Sequence, residues 1–141
     1  MSGKQVGYYL ERTTRQVKLA FTQAFMKAGI DLTPEQWVIL DHLTQANGQS
    51  QTELAGRSYK NAPTVSRIID ILERKKYVER QRFDNDRRRY KIFLTPLGKE
   101  VAEKALPIAE ELRGQGWEGL SEEDYDQFIR IVETVFNNFN R

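Results

Sequence analysis

Three consecutive arginines, Arg87, Arg88 and Arg89, stand directly after Asp86 in this sequence. Adjacent guanidinium groups repel one another, so such a run is of no use to a folded core. Arginine gives up its hydration more readily than lysine and is favoured in narrow, negatively charged minor grooves of DNA. Asp86 is placed to hold the Arg88 guanidinium in a side-chain pair. The run therefore indicates contact with duplex DNA, the alternative being an ordinary solvated turn.

A second group of polar side chains, at residues 61–67, suits the reading of bases. Small and hydrogen-bonding side chains at the start of a helix can approach base edges and phosphates in a major groove without steric conflict. Arg67 is the candidate for a bidentate contact with guanine or for a clamp on phosphate. The alternative is that the polar residues only cap and solvate the helix. The candidate contact residues are Asn61, Pro63, Thr64, Ser66 and Arg67.

Both groups lie in a basic segment, residues 57–91, which has twelve Lys/Arg against five Asp/Glu and a net charge of +7. Residues 1–56 balance at zero, and residues 92–141 sum to −5. A basic module in an otherwise neutral or acidic chain is typical of a protein that binds the phosphates of DNA. Within this segment Lys60, Arg74 and Arg87 are the candidates for neutralising phosphates.

The elements around these groups predict a winged helix-turn-helix. Ser50 and Glu53 have the spacing of a capping box before a short helix, and Asn61 is a natural N-cap for the next one. Two helices joined by a few residues are typical of a helix-turn-helix. Residues 78–83 and 90–94 have extended patterns on either side of the polar arginine run, which predicts a β-hairpin wing.

Long amphipathic helices are predicted on both sides of this unit. Apolar residues recur at helical spacing from Leu10 to Ala28, and Gly29 ends that pattern. Another helix follows Pro96, where Pro107 predicts a kink near residues 103–104. The last helix carries an apolar seam at three- and four-residue steps, which predicts a two-fold dimer, with packing inside one chain as the alternative. The seam residues are Tyr125, Phe128, Val132, Val135 and Phe139.

Together, residues 86–98 (DRRRYKIFLTPLG) resemble the wing motif of the MarR family of winged-helix regulators, D-x-R followed by a strand and L-T-x-x-G. Upstream, the segments 53–55, 64–67 and 72–75 agree with the family pattern as well. The resemblance covers nearly the whole chain. It implies a single domain over residues 1–141, with a DNA-binding lobe at 31–95 and a helical dimerisation lobe formed by 1–30 and 96–141.

This resemblance also implies a function and two site assignments. It implies a homodimeric transcription factor, most often a repressor, that binds a pseudo-palindromic operator. It also implies that Asp86 and Arg88 are the wing pair and that Thr64, Ser66 and Arg67 lie on the reading helix. The family usually has glycine where Lys76 stands, so Lys76 either adopts a left-handed backbone, at about 1–2 kcal/mol, or lengthens the helix. Members commonly respond to small phenolic or anionic ligands. The candidate ligand pocket is Tyr8, Tyr9, Arg12 and Arg15, which are alternatively interface or solvent residues.

Other classes of function find little support in the sequence. There is no cysteine and only one histidine, which excludes disulfides and multi-histidine metal clusters, and no catalytic motif is present. We therefore expect no enzyme activity, no metal and no cofactor, and a soluble cytoplasmic protein without a membrane segment. The rival to DNA binding is a winged helix used for protein–protein assembly, whose basic face would meet an acidic partner.

Overall fold

The computed structural model describes residues 5–82 and 89–141, which form mainly helices and a small antiparallel sheet. The predicted fold class, a winged helix-turn-helix flanked by terminal helices, is confirmed. None of the described helices is both long enough and apolar enough to cross a membrane. The elements are α1 (Val6–Lys27), α2 (Pro34–Gln45), β1 (Gln49–Ser50), α3 (Gln51–Ser58), α4 (Ala62–Arg74), β2 (Val78–Arg82), β3 (Tyr90–Leu94), α5 (Pro96–Gly116) and α6 (Glu122–Phe139).

The predicted capping residues stand where the helices begin. At α3 the Ser50 hydroxyl accepts from the Glu53 amide at 3.1 Å, and the Glu53 carboxylate accepts from the Ser50 amide at 3.3 Å. At α4 the Asn61 side chain accepts from the Thr64 amide at 2.9 Å. These bonds satisfy amides that the first turn of a helix leaves unpaired. The start of the candidate reading helix is thus fixed by local sequence.

The sheet has the strand order β1-β3-β2, with all neighbours antiparallel. One of its two edge strands, β1, consists of two residues and was not predicted from the sequence pattern. Such a short strand leaves no alternating pattern, and it forms because Gly48 adopts φ +80° and because the Asn47 side chain accepts from the Leu94 amide at 2.9 Å. The register pairs Gln49 with Ile92, so β1 joins the wing to the start of α3.

An apolar cluster lies beneath the helix-turn-helix and the base of the wing. α4 contributes one face to it, as its apolar spacing predicts, and α1 contributes the buried Phe25. Complete burial of a valine, leucine, isoleucine or phenylalanine side chain stabilises the fold by roughly 1.5–3 kcal/mol. The cluster therefore holds α3 and α4 to the rest of the chain. Its fully buried large side chains are Phe25, Ile39, Leu40, Leu43, Leu54, Val65, Ile69, Leu72, Val78 and Ile92.

The turn after α4 decides between the two alternatives for Lys76. Its φ is +68°, so the lysine adopts the left-handed backbone and α4 ends at Arg74. The turn is closed by the Tyr77 amide, which donates to the Leu72 carbonyl at 3.0 Å. Thr95 supports it from the side, because its hydroxyl donates to the Lys76 carbonyl at 2.6 Å.

α5 begins directly against this turn and continues unbroken through Pro107 to Gly116. Near its start, Gly98 lies so close to Tyr77 that a Cβ at this position would overlap the Tyr77 carbonyl oxygen. Further along, Ala102, Ala105 and Ala109 face the core. The kink expected near residues 103–104 stays a prediction.

Gly98→Ala should destabilise the protein by about 2 kcal/mol or more, because the added methyl group displaces backbone rather than a flexible side chain. Gly114→Ala is the matched control in the same helix, since its methyl group would meet nothing within 4 Å. It should be neutral or stabilising by about 0.5–1 kcal/mol. Urea unfolding at one fixed protein concentration measures both. Equal midpoints for the two variants would show that α5 has room to move away from Tyr77.

Candidate nucleic-acid interface

The outer face of α4 presents the predicted reading residues to solvent. Four residues of the helix are buried in the core, whereas Pro63, Arg67 and Arg74 are not buried and lie on the other side. Asn61 is exposed at the N-cap, and Thr64 and Ser66 are outside the core as well. A rigid helix with a packed back and a polar front can enter a major groove without any rearrangement of its own.

The other predicted contact residues are distributed over two regions. Lys60 is half-buried in the turn before α4, where it lines a cavity described below. Arg89 is exposed immediately before β3 and takes part in an interaction with the rest of the protein. Asp86, Arg87 and Arg88 lie outside the described residues.

Arg80 forms a cluster of bonds that the sequence pattern did not predict. Its Nη1 lies 2.6 Å from Asp70 Oδ1 and 3.1 Å from Glu73 Oε1, both on α4. Its Nη2 donates to the Ser66 carbonyl at 3.0 Å, and its Nε donates to Gln51 Oε1 on α3 at 2.8 Å. We call these five residues the Arg80 cluster.

Two signals in the sequence point to this cluster in retrospect. Asp70 and Glu73 are three residues apart and therefore share one face of α4. Arg80 stands two residues after the apolar Val78 in the segment predicted as a strand, and so shares its face; the structure pairs it with the buried Ile92. An arginine at an inward position of a strand needs carboxylates or carbonyls to compensate its lost hydration.

A second link joins the end of α4 to the start of α2. Lys75 Nζ lies 3.1 Å from Asp31 Oδ1, and it donates to the Asp31 carbonyl at 3.2 Å and to Gln36 Oε1 at 2.9 Å. The same Gln36 oxygen accepts from the Thr33 amide in the α2 capping box. The reading helix is therefore tied at its far end to the segment that connects α1 with α2.

The predicted seam on α6 is largely uncovered in the single chain. Tyr125, Phe128 and Phe139 are exposed, the last to 89%, while Val132 and Val135 are half-buried. The seam's two aromatic residues at its start contact Trp117 edge-on, with ring centroids 5.4 and 5.7 Å apart. A row of exposed apolar side chains on one helix is typical of a surface that another protein covers.

A cavity of about 330 Å³ lies between α1, the start of α2 and the C-terminal helices. Its wall is mainly apolar, and Lys18, Lys60 and Arg113 bring positive charge to it. Its carboxylate, Glu35, lies 3.0 Å from Lys18 Nζ. Burial raises the pKa of Glu35, but the hydrogen bond and charge of Lys18, a backbone hydrogen bond and the charge of Lys60 together outweigh this effect, so that the pKa lies below its ordinary value. The complete lining is Leu10, Thr13, Thr14, Val17, Lys18, Phe21, Pro34, Glu35, Trp37, Val38, Lys60, Arg113 and Phe128.

The residues predicted as a ligand pocket lie nearby on α1 but do not line this cavity. Tyr8, Tyr9, Arg12 and Arg15 are all exposed. The Arg12 guanidinium lies over the two tyrosine rings, 5.7 and 5.3 Å from their centroids, and Arg15 Nε lies 3.9 Å from Glu11 Oε1. Among residues 5–82 and 89–141, no group of three or more His, Cys, Asp or Glu could hold a metal ion.

Both the sequence and the fold of this chain match known proteins. Residues 32–90 match the model of the MarR family. The chain is similar in structure to MepR from S. aureus, solved as a DNA complex, with 28% identity, a TM-score of 0.84 and coverage of 96% of this chain and 98% of that chain.

Two more distant likenesses show the fold. One is to BpsR from Bordetella bronchiseptica, with 23% identity, a TM-score of 0.81 and 97% of each chain covered. The other is to a mutant of MarR from E. coli complexed with operator DNA, with 19% identity, a TM-score of 0.83 and 94% of each chain covered. The expected resemblance is confirmed: residues 32–90 match the MarR family model, and the chain has the fold of solved MarR-family transcriptional regulators.

Proposed function

We propose that the protein is a homodimeric, sequence-specific repressor that binds a pseudo-palindromic operator. The observation that carries this proposal is the polar outer face of α4, with Arg67 and Arg74, held by Arg80 beside the strand that leads into the arginine run. The likeness to MepR, whose solved structure is a DNA complex, supports the same assignment. In this proposal residues 31–95 are the DNA-binding lobe, and residues 1–30 with 96–141 are the dimerisation lobe.

Each subunit contacts two grooves in this proposal. Residues 61–67 enter a major groove, where Arg67 contacts guanine or phosphate, and Arg88 enters the adjacent minor groove with support from Asp86. Lysine and arginine side chains around both elements neutralise phosphates and fix the protein's register on the duplex. These side chains are Lys60, Arg74, Arg87 and Arg89.

The dimer forms through the terminal helices, because these carry the uncovered apolar surface. Two-fold symmetry then presents the two reading helices to half-sites roughly 34–36 Å apart, which is one turn of DNA. A dimer seated on such an operator occludes the DNA from other proteins, which is the simplest form of repression.

A small aromatic or anionic effector is proposed for the 330 Å³ cavity. Its volume is within the range of ligand pockets, roughly 300–1,000 Å³, and its apolar wall with a few charges suits an apolar body that bears an acidic group. The cavity reaches Lys60 in the turn before α4 and Phe128 on α6, so an occupant contacts both lobes. A ligand that prefers one spacing of the reading helices over the other would release DNA.

DNA binding is tested with a duplex selected by the wild-type protein from random sequences. Arg67→Ala should reduce the free energy of DNA binding by about 1–3 kcal/mol and relax base preference. Arg88→Ala should weaken binding to all duplexes, and most strongly to those with narrow minor grooves. For about 6–10 phosphate contacts, wild-type affinity should fall about 10³–10⁵-fold between 50 and 200 mM salt. Fluorescence anisotropy measures these affinities, with Lys104→Met as the control for loss of one charge on α5. A flat salt response, with no effect of either arginine, would favour the protein–protein assembly module instead.

The dimer is tested at Phe139, which is too exposed for its loss to disturb the single chain. Phe139→Ala should raise the dimer dissociation constant about tenfold or more, since burial of a phenylalanine contributes roughly 1.5–3 kcal/mol. Asn137→Ala, on another face of α6, is the control and should leave the dimer intact. Sedimentation equilibrium over a range of concentrations measures both. A wild-type protein that stays monomeric throughout would refute the dimer.

The effector site is tested by titrating hydroxybenzoates into the protein–DNA complex. Arg113→Met should raise the concentration needed for half-release about tenfold, because it removes a cation that lines the cavity. Arg12→Met tests the pocket predicted around Tyr8 and Tyr9 and should have little effect. The reverse order of the two variants would place the ligand at the N-terminal end of α1, and no release by any aromatic acid would refute the effector.

A further inference from the structure

We propose that Arg80 is a positioning residue that sets the wing against the reading helix, so that the two engage DNA together. The inference rests on the proposed DNA contacts of both elements. It goes beyond them because it concerns a side chain that faces the protein rather than the duplex.

The bonds of Arg80 span three elements. Its guanidinium contacts α4 at Ser66, Asp70 and Glu73, and α3 at Gln51, while its own backbone belongs to β2. The Arg80 amide also lies 3.4 Å from Glu73 Oε2. All three guanidinium nitrogens therefore have partners on the helix-turn-helix.

The geometry requires an arginine. A guanidinium is a planar fork of five donors, whereas a lysine ammonium is a single point charge on a flexible stem. One ammonium cannot reach Gln51, Ser66 and the two carboxylates together. The Arg80 side chain is only 15% exposed, so its bonds are screened less by solvent than those of a surface ion pair.

The cluster acts at the ends of both DNA-contacting elements. Ser66 lies within the proposed reading residues, between Thr64 and Arg67. Arg80 lies two residues before the end of β2, from which the chain enters the wing, and it pairs with Ile92 of β3. Rotation of either wing strand relative to α4 would break several of these bonds at once.

Electrostatics alone predicts the opposite effect for one variant, and this makes the proposal testable. Asp70→Ala with Glu73→Ala removes two negative charges from a DNA-binding surface, which by charge should tighten binding. Alanine is also the best helix former, so α4 is not weakened by the change. If Arg80 must be held by these carboxylates to position the wing, this variant should instead bind more weakly.

The experiment is a double-mutant cycle on the full-length protein with the selected duplex. Arg88→Ala is introduced into the wild type, into Arg80→Met and into the Asp70→Ala/Glu73→Ala variant, with Lys104→Met as a fourth background. In the wild type and in Lys104→Met, Arg88→Ala should weaken binding about tenfold or more. In the two cluster variants the loss of affinity caused by Arg88→Ala should fall below about twofold. A factor of about two is the deviation from additivity that independent substitutions show. The slope of log affinity against log salt should also shrink by about 0.9 for each phosphate that the wing no longer neutralises.

Every outcome bears on the proposal. Thermal unfolding and dimer mass confirm that each background is folded, and the alanine pair serves if Arg80→Met does not fold. An equal loss from Arg88→Ala in all backgrounds would overturn the positioning role and leave the proposed function intact. Tighter binding by the alanine pair, with full sensitivity to Arg88→Ala, would do the same. No effect of Arg88→Ala in the wild type would overturn the wing contact itself, and the positioning role with it.

Discussion

Thr95 holds the turn between the reading helix and the wing, and the rest of the structure depends on this contact. Its amide donates to the Tyr77 carbonyl at 3.0 Å and its hydroxyl to the Lys76 carbonyl at 2.6 Å, while the same hydroxyl accepts from the Gly98 amide at 2.9 Å. Three elements, α4, β2 and α5, thereby meet at one residue. Because α5 leads to the C-terminal helix, the turn also connects the DNA-binding lobe to the apolar surface proposed for the dimer.

Charge in this protein is divided between surfaces that meet solvent and clusters that hold elements together. Arg67 and Arg74 lie on the outer side of α4, where positive charge is available to phosphates. Arg80 and Lys75, from the same basic segment, are turned inward and paired with carboxylates or carbonyls. The basic side chains of this segment therefore differ in role: those turned inward hold elements together, and those on the outer side of α4 are the ones proposed to contact DNA.

The single chain leaves two features incomplete, and both lie at the terminal helices. The apolar seam of α6 is largely uncovered, and the 330 Å³ cavity has Phe128 of that seam in its wall. Lys60 lines the same cavity from the turn before α4, so the cavity borders both the surface proposed for the dimer and the helix-turn-helix. A ligand bound between these two parts is in a position to change the spacing of the two reading helices.

Local sequence by itself determined the helix starts, the reading helix, the hairpin strands and the family resemblance. These depend on patterns within a few residues, such as the capping pair Ser50 and Glu53 or the apolar face of α4. Tertiary structure decided the rest, because the deciding contacts join residues of different elements. It gave the two-residue strand β1 its partner, Lys76 its left-handed backbone beside Thr95, and Arg80 its bonds to two helices. It also placed the cavity beyond Tyr8 and Tyr9, because its walls come from four helices that no spacing along one helix can bring together.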